Sequence, residues 1–124
     1  MLFNEDISNA RCRITHYDDK SITVSGEVYS HSAIVFPGKI ITDWPPQALQ
    51  DVSEAHLEPI IHAQPEILLI GTGKYSMRLS PQLRIFLESH NIGVECMTTP
   101  AACRSYMALL SEGRNMAAII FPGS

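Results

Sequence analysis

The chain has 124 residues, 45% of them hydrophobic and 18% charged, with a net charge of −4 from nine Lys and Arg against thirteen Asp and Glu. This predicts one domain over residues 1–124, large enough for a single core. The shortage of bases excludes a dedicated nucleic-acid binder, which needs surplus Lys and Arg to neutralise phosphates.

The charge is not evenly spread. Residues 1–66 hold ten acids and four bases, whereas residues 67–124 hold three acids (Glu88, Glu95, Glu112) and five bases (Lys74, Arg78, Arg84, Arg104, Arg114). No apolar run approaches the roughly 20 residues of a membrane span, which predicts no membrane insertion. Met1-Leu2-Phe3-Asn4-Glu5-Asp6 carries acids where a signal peptide carries positive charge. Cys12, Cys96 and Cys103 form no CxxC, so a reducing cytoplasm is the expected compartment.

In chain order, Arg11–Tyr17 alternates as a strand with Cys12, Ile14 and His16 on one face, and Asp18-Asp19-Lys20 is a turn. Ser21–Val24 and Glu27–Tyr29 are strands flanking a bulge or bend at Gly26. Ala33–Phe36 is a strand stopped by Pro37-Gly38, and Trp44-Pro45-Pro46 breaks any regular element. Ala118–Gly123 echoes Ala33–Gly38, two similar strand endings rather than a duplication.

Ser53 predicts the cap of a helix to Ala63, kept short or irregular by Pro59, with Leu57, Ile60 and Ile61 inward. Glu66–Ile70 reads as a buried strand ending in Gly71-Thr72-Gly73. Ser80 caps and Pro81 opens a helix to about His90 that buries Leu83, Leu87 and either Ile85 or Phe86. After the strand Val94–Met97, Thr99 caps and Pro100 opens a helix over Ala101–Glu112, stopped by Gly113. Met116–Phe121 is the last strand. The expected fold is α/β, a central mixed sheet flanked by helices, with an additional β layer from the N-terminal third.

Two strand-to-helix junctions carry the candidate binding residues. Gly71, Thr72 and Gly73 sit where open α/β sheets place ligand loops, with glycines that let N–H groups approach an anion, and Lys74 and Arg78 follow in the same loop. Neither dinucleotide nor P-loop spacing is complete: Ser76 stands where the third glycine belongs, and Gly73-Lys74 is followed by Tyr75. At the second junction Thr98 and Thr99 offer hydroxyls, and Arg104 lies one turn into the helix, positioned for an anion, a partner carboxylate or an ion pair with Glu95. Lys74, Arg78 and Arg104 together suggest a basic edge on an acidic molecule.

Catalytic constellations are not legible. Cys103 sits near a helix start, where a thiolate is favoured, but His16, His31, His56, His62 and His90 are not placed beside it by spacing. His56 and His62 are six apart, not at ligand spacing, so no metal or cofactor is expected.

The ordered motifs Leu69-Ile70-Gly71-Thr72-Gly73, Leu79-Ser80-Pro81-Gln82-Leu83-Arg84, Gly93-Val94-Glu95-Cys96-Met97, Ala101-Ala102-Cys103-Arg104-Ser105-Tyr106 and Leu110-Ser111-Glu112-Gly113-Arg114 run from Leu68 to Ile120. Upstream, Gly26 and Tyr29 through Ile34 extend the pattern more loosely. The set resembles a small Mth-type domain family of undefined function. Its members include the mitochondrial NADH:ubiquinone oxidoreductase complex assembly factor 3 and the adipogenesis-associated Mth-type domain protein. The resemblance implies one α/β domain with no established catalytic residue or cofactor and, for the assembly-factor branch, a non-enzymatic role in building respiratory complex I. Without an Arg-rich leader, the chain looks like a bacterial stand-alone member. It departs from the family pattern at Thr98 (usually Asp), Pro100 (usually Gly) and Met107 (usually Asn), which implies an altered pocket if those residues form one.

The sequence therefore supports a non-enzymatic binding or assembly-factor-like domain with a protein partner, or alternatively a small-molecule enzyme or sensor holding an anion at Gly71–Gly73 and Thr98–Arg104. A structural homo-oligomer is the third reading.

Overall fold

The computed structural model describes residues 11–122; the expectations on Met1–Asp6 and on Gly123 lie outside that range. Strands β1 (Ile14–Tyr17), β2 (Ile22–Val24) and β3 (Glu27–Tyr29) form an antiparallel three-stranded sheet in the order β1-β2-β3. Asp18 makes the first turn: its Oδ1 accepts from the N–H groups of Lys20 (2.8 Å) and Ser21 (2.9 Å) and from the Ser21 hydroxyl (3.2 Å). Gly26 is not a bulge. With Ser25 it forms a two-residue hairpin turn in which both φ values are positive, +50° and +89°. The register instead slips between Ile14 and His16, which turns His16 out to solvent although Cys12 and Ile14 are buried.

The central sheet has five strands, β4 (Ala33–Phe36), β5 (Lys39–Ile41), β6 (Ile67–Gly71), β7 (Gly93–Met97) and β8 (Met116–Ile120), in the order β5-β4-β8-β6-β7. Strand β6 runs parallel to β7 and β8, and β4 antiparallel to β5 and β8. The mixed α/β architecture with an added β layer is the one expected. Pro37-Gly38 does not end the N-terminal β structure; it is the turn of a hairpin that continues into β5. The echoed segments are neighbours, Ala33, Ile34 and Val35 facing Ile120, Ile119 and Ala118. Their composition is alike because both strands are covered on both faces, so neither alternates with polar residues.

Short 3-10 turns at Leu49–Asp51 and Ala55–Leu57 precede helix α1 (Glu58–Ala63). The single helix expected from Ser53 is thus divided. Pro59 has no N–H to give and sits at the start of the α segment, the position a proline tolerates. The Ser53 hydroxyl meets His56 Nδ1 at 3.1 Å instead of capping the helix. Helix α2 (Pro81–Glu88) is capped by Ser80, whose hydroxyl accepts from Leu83 N–H at 3.3 Å. Phe86 turns inward and Ile85 is 65% exposed. Helix α3 (Thr99–Ser111) begins one residue earlier than expected: its cap is Thr98, which accepts from Ala101 N–H at 3.4 Å. Pro100 is compatible with either first-turn position, so Thr99 is released from capping for another role.

Two cores flank the central sheet. On one side Leu83 and Leu87 of α2, with Leu57 and Ile60, pack on Leu68, Ile70, Ala117 and Ile119. On the other, Ala102, Cys103, Tyr106 and Leu110 of α3, with Ile14, Ile22 and Val24 of the small sheet, pack on Leu69, Ala118 and Ile120. The alternation along β6 and β8 assigns successive residues to opposite cores. The Tyr106 hydroxyl ties the second core together, donating to Cys12 C=O at 2.7 Å with Phe36 C=O at 3.3 Å. Among the described residues no helix is long and apolar enough to cross a membrane.

Candidate functional site

The chain leaves β6 for α2 on one face of the sheet and leaves β7 for α3 on the other. The C-terminal ends of these adjacent strands are therefore a topological switch point, where α/β sheets place ligand clefts. Both candidate junctions meet there. Thr72 N–H donates to Met97 C=O at 2.9 Å, and Thr99 N–H to Gly73 C=O at 2.8 Å.

The glycines serve packing and turning. A Cβ on Gly71 would lie 3.0 Å from both Ala102 Cβ and Thr99 Cα, so Gly71 lets α3 settle against β6. Gly73 has φ +95°, in the region that favours glycine. Its N–H donates to Thr99 Oγ1 (2.8 Å), whose own proton goes to Phe121 C=O (2.8 Å). Thr99, 3% exposed, is thus a rivet joining the ends of β6, β8 and α3. Thr72 anchors the following loop: its hydroxyl lies 2.6 Å from Tyr75 C=O and 3.1 Å from Met97 C=O, and it accepts from Met77 N–H at 3.1 Å.

The N–H groups expected to face an anion are accordingly engaged. At the start of α3, Thr99 donates to Gly73, Pro100 has no donor, Ala101 donates to the Thr98 hydroxyl and Ala102 to Thr98 C=O. What remains open is formed by side chains. A concavity of about 350 Å³ is lined by Gly73, Lys74, Thr98, Thr99 and Pro100, and by Tyr17, Asp18 and Asp19 of the small sheet's first turn. Hydrogen bonds from Lys20, then Ser21, hold the Asp18 carboxyl below the usual carboxylate range. The rim is thus mixed in charge rather than basic.

Arg104 is exposed at this rim and donates to the Tyr17 hydroxyl at 3.2 Å; the ion pairs among the described residues are Arg84–Glu88, Arg114–Glu66 and Arg114–Glu112, so Arg104 does not pair with Glu95. Arg78 does not join the cleft. It lies in a separate groove of about 290 Å³ with Leu49, Val52, Met77, Leu79 and Leu83. The structure therefore brings Gly73, Lys74, Thr98 and Thr99 together, with Arg104 at the rim, places Gly71 and Thr72 beneath them as supports, and sets Arg78 apart.

Between the two concavities the loop itself stands out. Tyr75 is 71% and Met77 46% exposed, with Lys74 Nζ 6.0 Å from the Tyr75 ring centre. These two residues lie between the bases Lys74 and Arg78, and large apolar side chains in a polar loop are a signal of binding that the glycine and hydroxyl pattern alone does not carry. The sequence places Tyr17 at a strand end and Asp18 and Asp19 in a turn, and their approach to the switch point depends on how the two sheets pack.

Cys103 is buried among α3 and the small sheet, and burial pushes its thiol up to about 12, offset in part by Arg104. Cys12 and Cys96 are likewise raised by burial, which disfavours the thiolate form at all three. Among the described residues, no three His, Cys, Asp or Glu side chains gather as metal ligands.

The family described as "Protein of unknown function (DUF498/DUF598)" matches residues 14–121. The mouse "NADH dehydrogenase [ubiquinone] 1 alpha subcomplex assembly factor 3" is 29% identical over 111 residues, 88% of this chain and 60% of that protein. A "13 kDa major membrane protein" of Francisella tularensis is 38% identical over 74 residues, 58% of each chain. The chain thus spans about three-fifths of the curated relatives it matches. The crystal structure of a Bordetella parapertussis protein is 35% identical, covers 91% of this chain and 97% of its own, and superposes with a TM-score of 0.84.

Proposed function

We propose that this chain, which belongs to the DUF498/DUF598 family, is a non-enzymatic binding domain that engages a protein partner through the loop Lys74–Arg78 at the switch-point edge of its central sheet. The carrying observation is the exposure of Tyr75 and Met77 on a loop whose base is fastened by Thr72 and Thr99. Tyr, Met and Arg are the side chains that protein interfaces favour, and a fastened base presents them with little ordering cost on binding. The relatives named as assembly factors support a protein partner, and the finer reading is a subunit of a larger complex, respiratory or otherwise. The three free cysteines support a reducing cytoplasm as the place of action.

The test places a photo-cross-linking residue at position 75 and, as control, at position 112 in the intact protein in cells. A discrete protein adduct from position 75, lost in the Met77→Ala background, is the expected result. Absence of any adduct from position 75 in folded protein overturns the reading.

The 350 Å³ concavity favours a second reading, a small anionic ligand held by Lys74 and Arg104. Phosphate, sulfate or nucleotides then raise the melting temperature, and Arg104→Ala abolishes the rise; no shift across the panel excludes it.

A further inference from the structure

The partner's chemistry follows from what lies beside the loop. Residues 67–87 carry Lys74, Arg78 and Arg84 and no acid at all. Arg84 is occupied: its guanidinium lies 3.8 Å from Glu88 and donates to Val94 C=O at 3.3 Å. Among the described residues no ion pair involves Lys74 or Arg78. Arg78 stands in the groove whose walls are Leu49, Val52, Met77, Leu79 and Leu83. At about 290 Å³ the groove lies at the small end of ligand clefts, roughly 300–1,000 Å³, a size for a few side chains rather than a large cofactor. Gln50 and Ser80 complete the lining as uncharged polar groups, so the charge that the groove itself presents is that of Arg78.

Resting on the protein-binding reading above, we propose that this groove docks a short segment of the partner that carries apolar anchors followed by a carboxylate. The anchors seat against Leu49, Val52, Met77 and Leu83, and the carboxylate pairs with Arg78, whose planar guanidinium suits bidentate recognition. Lys74, strongly hydrated and set over Tyr75, attracts acidic chain at longer range. An exposed arginine at the edge of a mostly apolar groove sets specificity and association rate through charge while burial supplies affinity. A purely apolar segment would leave Arg78 without a partner, and a basic one would meet it with repulsion.

The experiment selects 16-residue segments from a displayed peptide library on the full chain, then measures enriched peptides by fluorescence anisotropy at low and high salt. Enriched segments carry Asp or Glu next to apolar residues, and binding weakens with salt. Arg78→Glu lowers affinity roughly tenfold and redirects selection toward basic segments, and Met77→Asp lowers it similarly, while Arg114→Ala changes nothing. Both Met77 and Arg78 are exposed, so the variants fold, which melting temperature verifies. Enrichment without acidic bias, or indifference to Arg78→Glu, overturns the proposal. Self-association abolished by Met77→Asp would assign the groove to a second copy of the chain and overturn it as well. The in-cell adduct at position 75 separates the two claims. If it forms while the acidic bias fails, the partner-binding reading stands and this one falls; if it does not form, both fall.

Discussion

The two strand-to-helix junctions at the switch point begin alike and end differently. From β7 to α3 the chain turns on Thr98 alone, and the next residue, Thr99, is buried with every polar group engaged. From β6 to α2 it takes the nine residues 72–80, fastened at Thr72 and capped at Ser80, and between those points it exposes Lys74, Tyr75, Met77 and Arg78. Hydroxyls and glycines at a strand end are therefore ambiguous. In the short junction they complete the fold, and the long junction uses the same chemistry as a mount for side chains that fold stability does not need.

The sharpest way to break this contrast is to remove the rivet. Thr99→Val keeps the shape but leaves Gly73 N–H and Phe121 C=O without their partner. The expected loss is about 1–3 kcal/mol for each buried group left unpaired. Urea unfolding measures it, and Thr99→Ser, which keeps the hydroxyl, recovers most of it. An unchanged midpoint in Thr99→Val would mean that the junction is not the closed unit described.

Gly71→Ala tests the same junction by volume rather than polarity. Its Cβ would meet Ala102 and Thr99 at 3.0 Å, and overpacking of a tight contact costs about 1–3 kcal/mol. Pairing it with Ala102→Gly makes room for one of the two contacts, so the double variant is expected to be more stable than Gly71→Ala plus the separate cost of Ala102→Gly. Strict additivity would place the strain elsewhere.

These residues also show what the sequence could disclose. Caps and strand ends are local chemistry, so Ser80, Pro81 and the β6–α2–β7–α3–β8 alternation were legible. The cap of α3 was misplaced by one because two threonines precede a proline that fits either register. Strand β5 was hidden because Pro37-Gly38 reads equally as a stop or a hairpin. Gly71 was visible as a glycine, but its reason lies in Ala102, thirty-one positions away. The cleft's acidic wall, Asp18 and Asp19, comes from a different sheet, and no spacing along the chain brings it to Lys74. Tyr75 and Met77 were open to inspection as apolar residues between two bases, and only their 71% and 46% exposure shows that no core claims them.

A smaller effect separates the core side of α3 from its exposed start. Burial raises the Cys103 thiol from its ordinary 9.0 to about 12, so the unfolded chain ionises first as pH rises. The linked stability is complete below pH 9.0 and falls as pH climbs from there toward about 12, with a slope near 1.4 kcal/mol per pH unit for one such group. Tyr106, raised by burial and by the nearby Cys12, steepens the decline above its ordinary 10.0. Denaturation midpoints between pH 8 and 11 are the measurement (roughly the window where only U titrates), and Cys103→Ala flattens the first part of the fall. Cys103→Ser leaves partner binding intact, since the thiol is inside the core and not at the edge.

The least effect on stability is expected where the proposed function is concentrated. Tyr75 is 71% exposed and meets Lys74 in one exposed contact, while Met77, 46% exposed, covers part of the groove beside Leu49, Val52 and Leu83 without entering either core. The Met77 N–H to the Thr72 hydroxyl is a main-chain bond and survives side-chain truncation. Tyr75→Ala with Met77→Ala should therefore stay within about 1 kcal/mol of the parent in urea unfolding, most of it from the half-buried Met77, while the cross-linked adduct from neighbouring position 76 disappears. A double variant that unfolds as early as Thr99→Val would make the loop part of the fold's own support, and the difference between the two junctions would then be one of length alone.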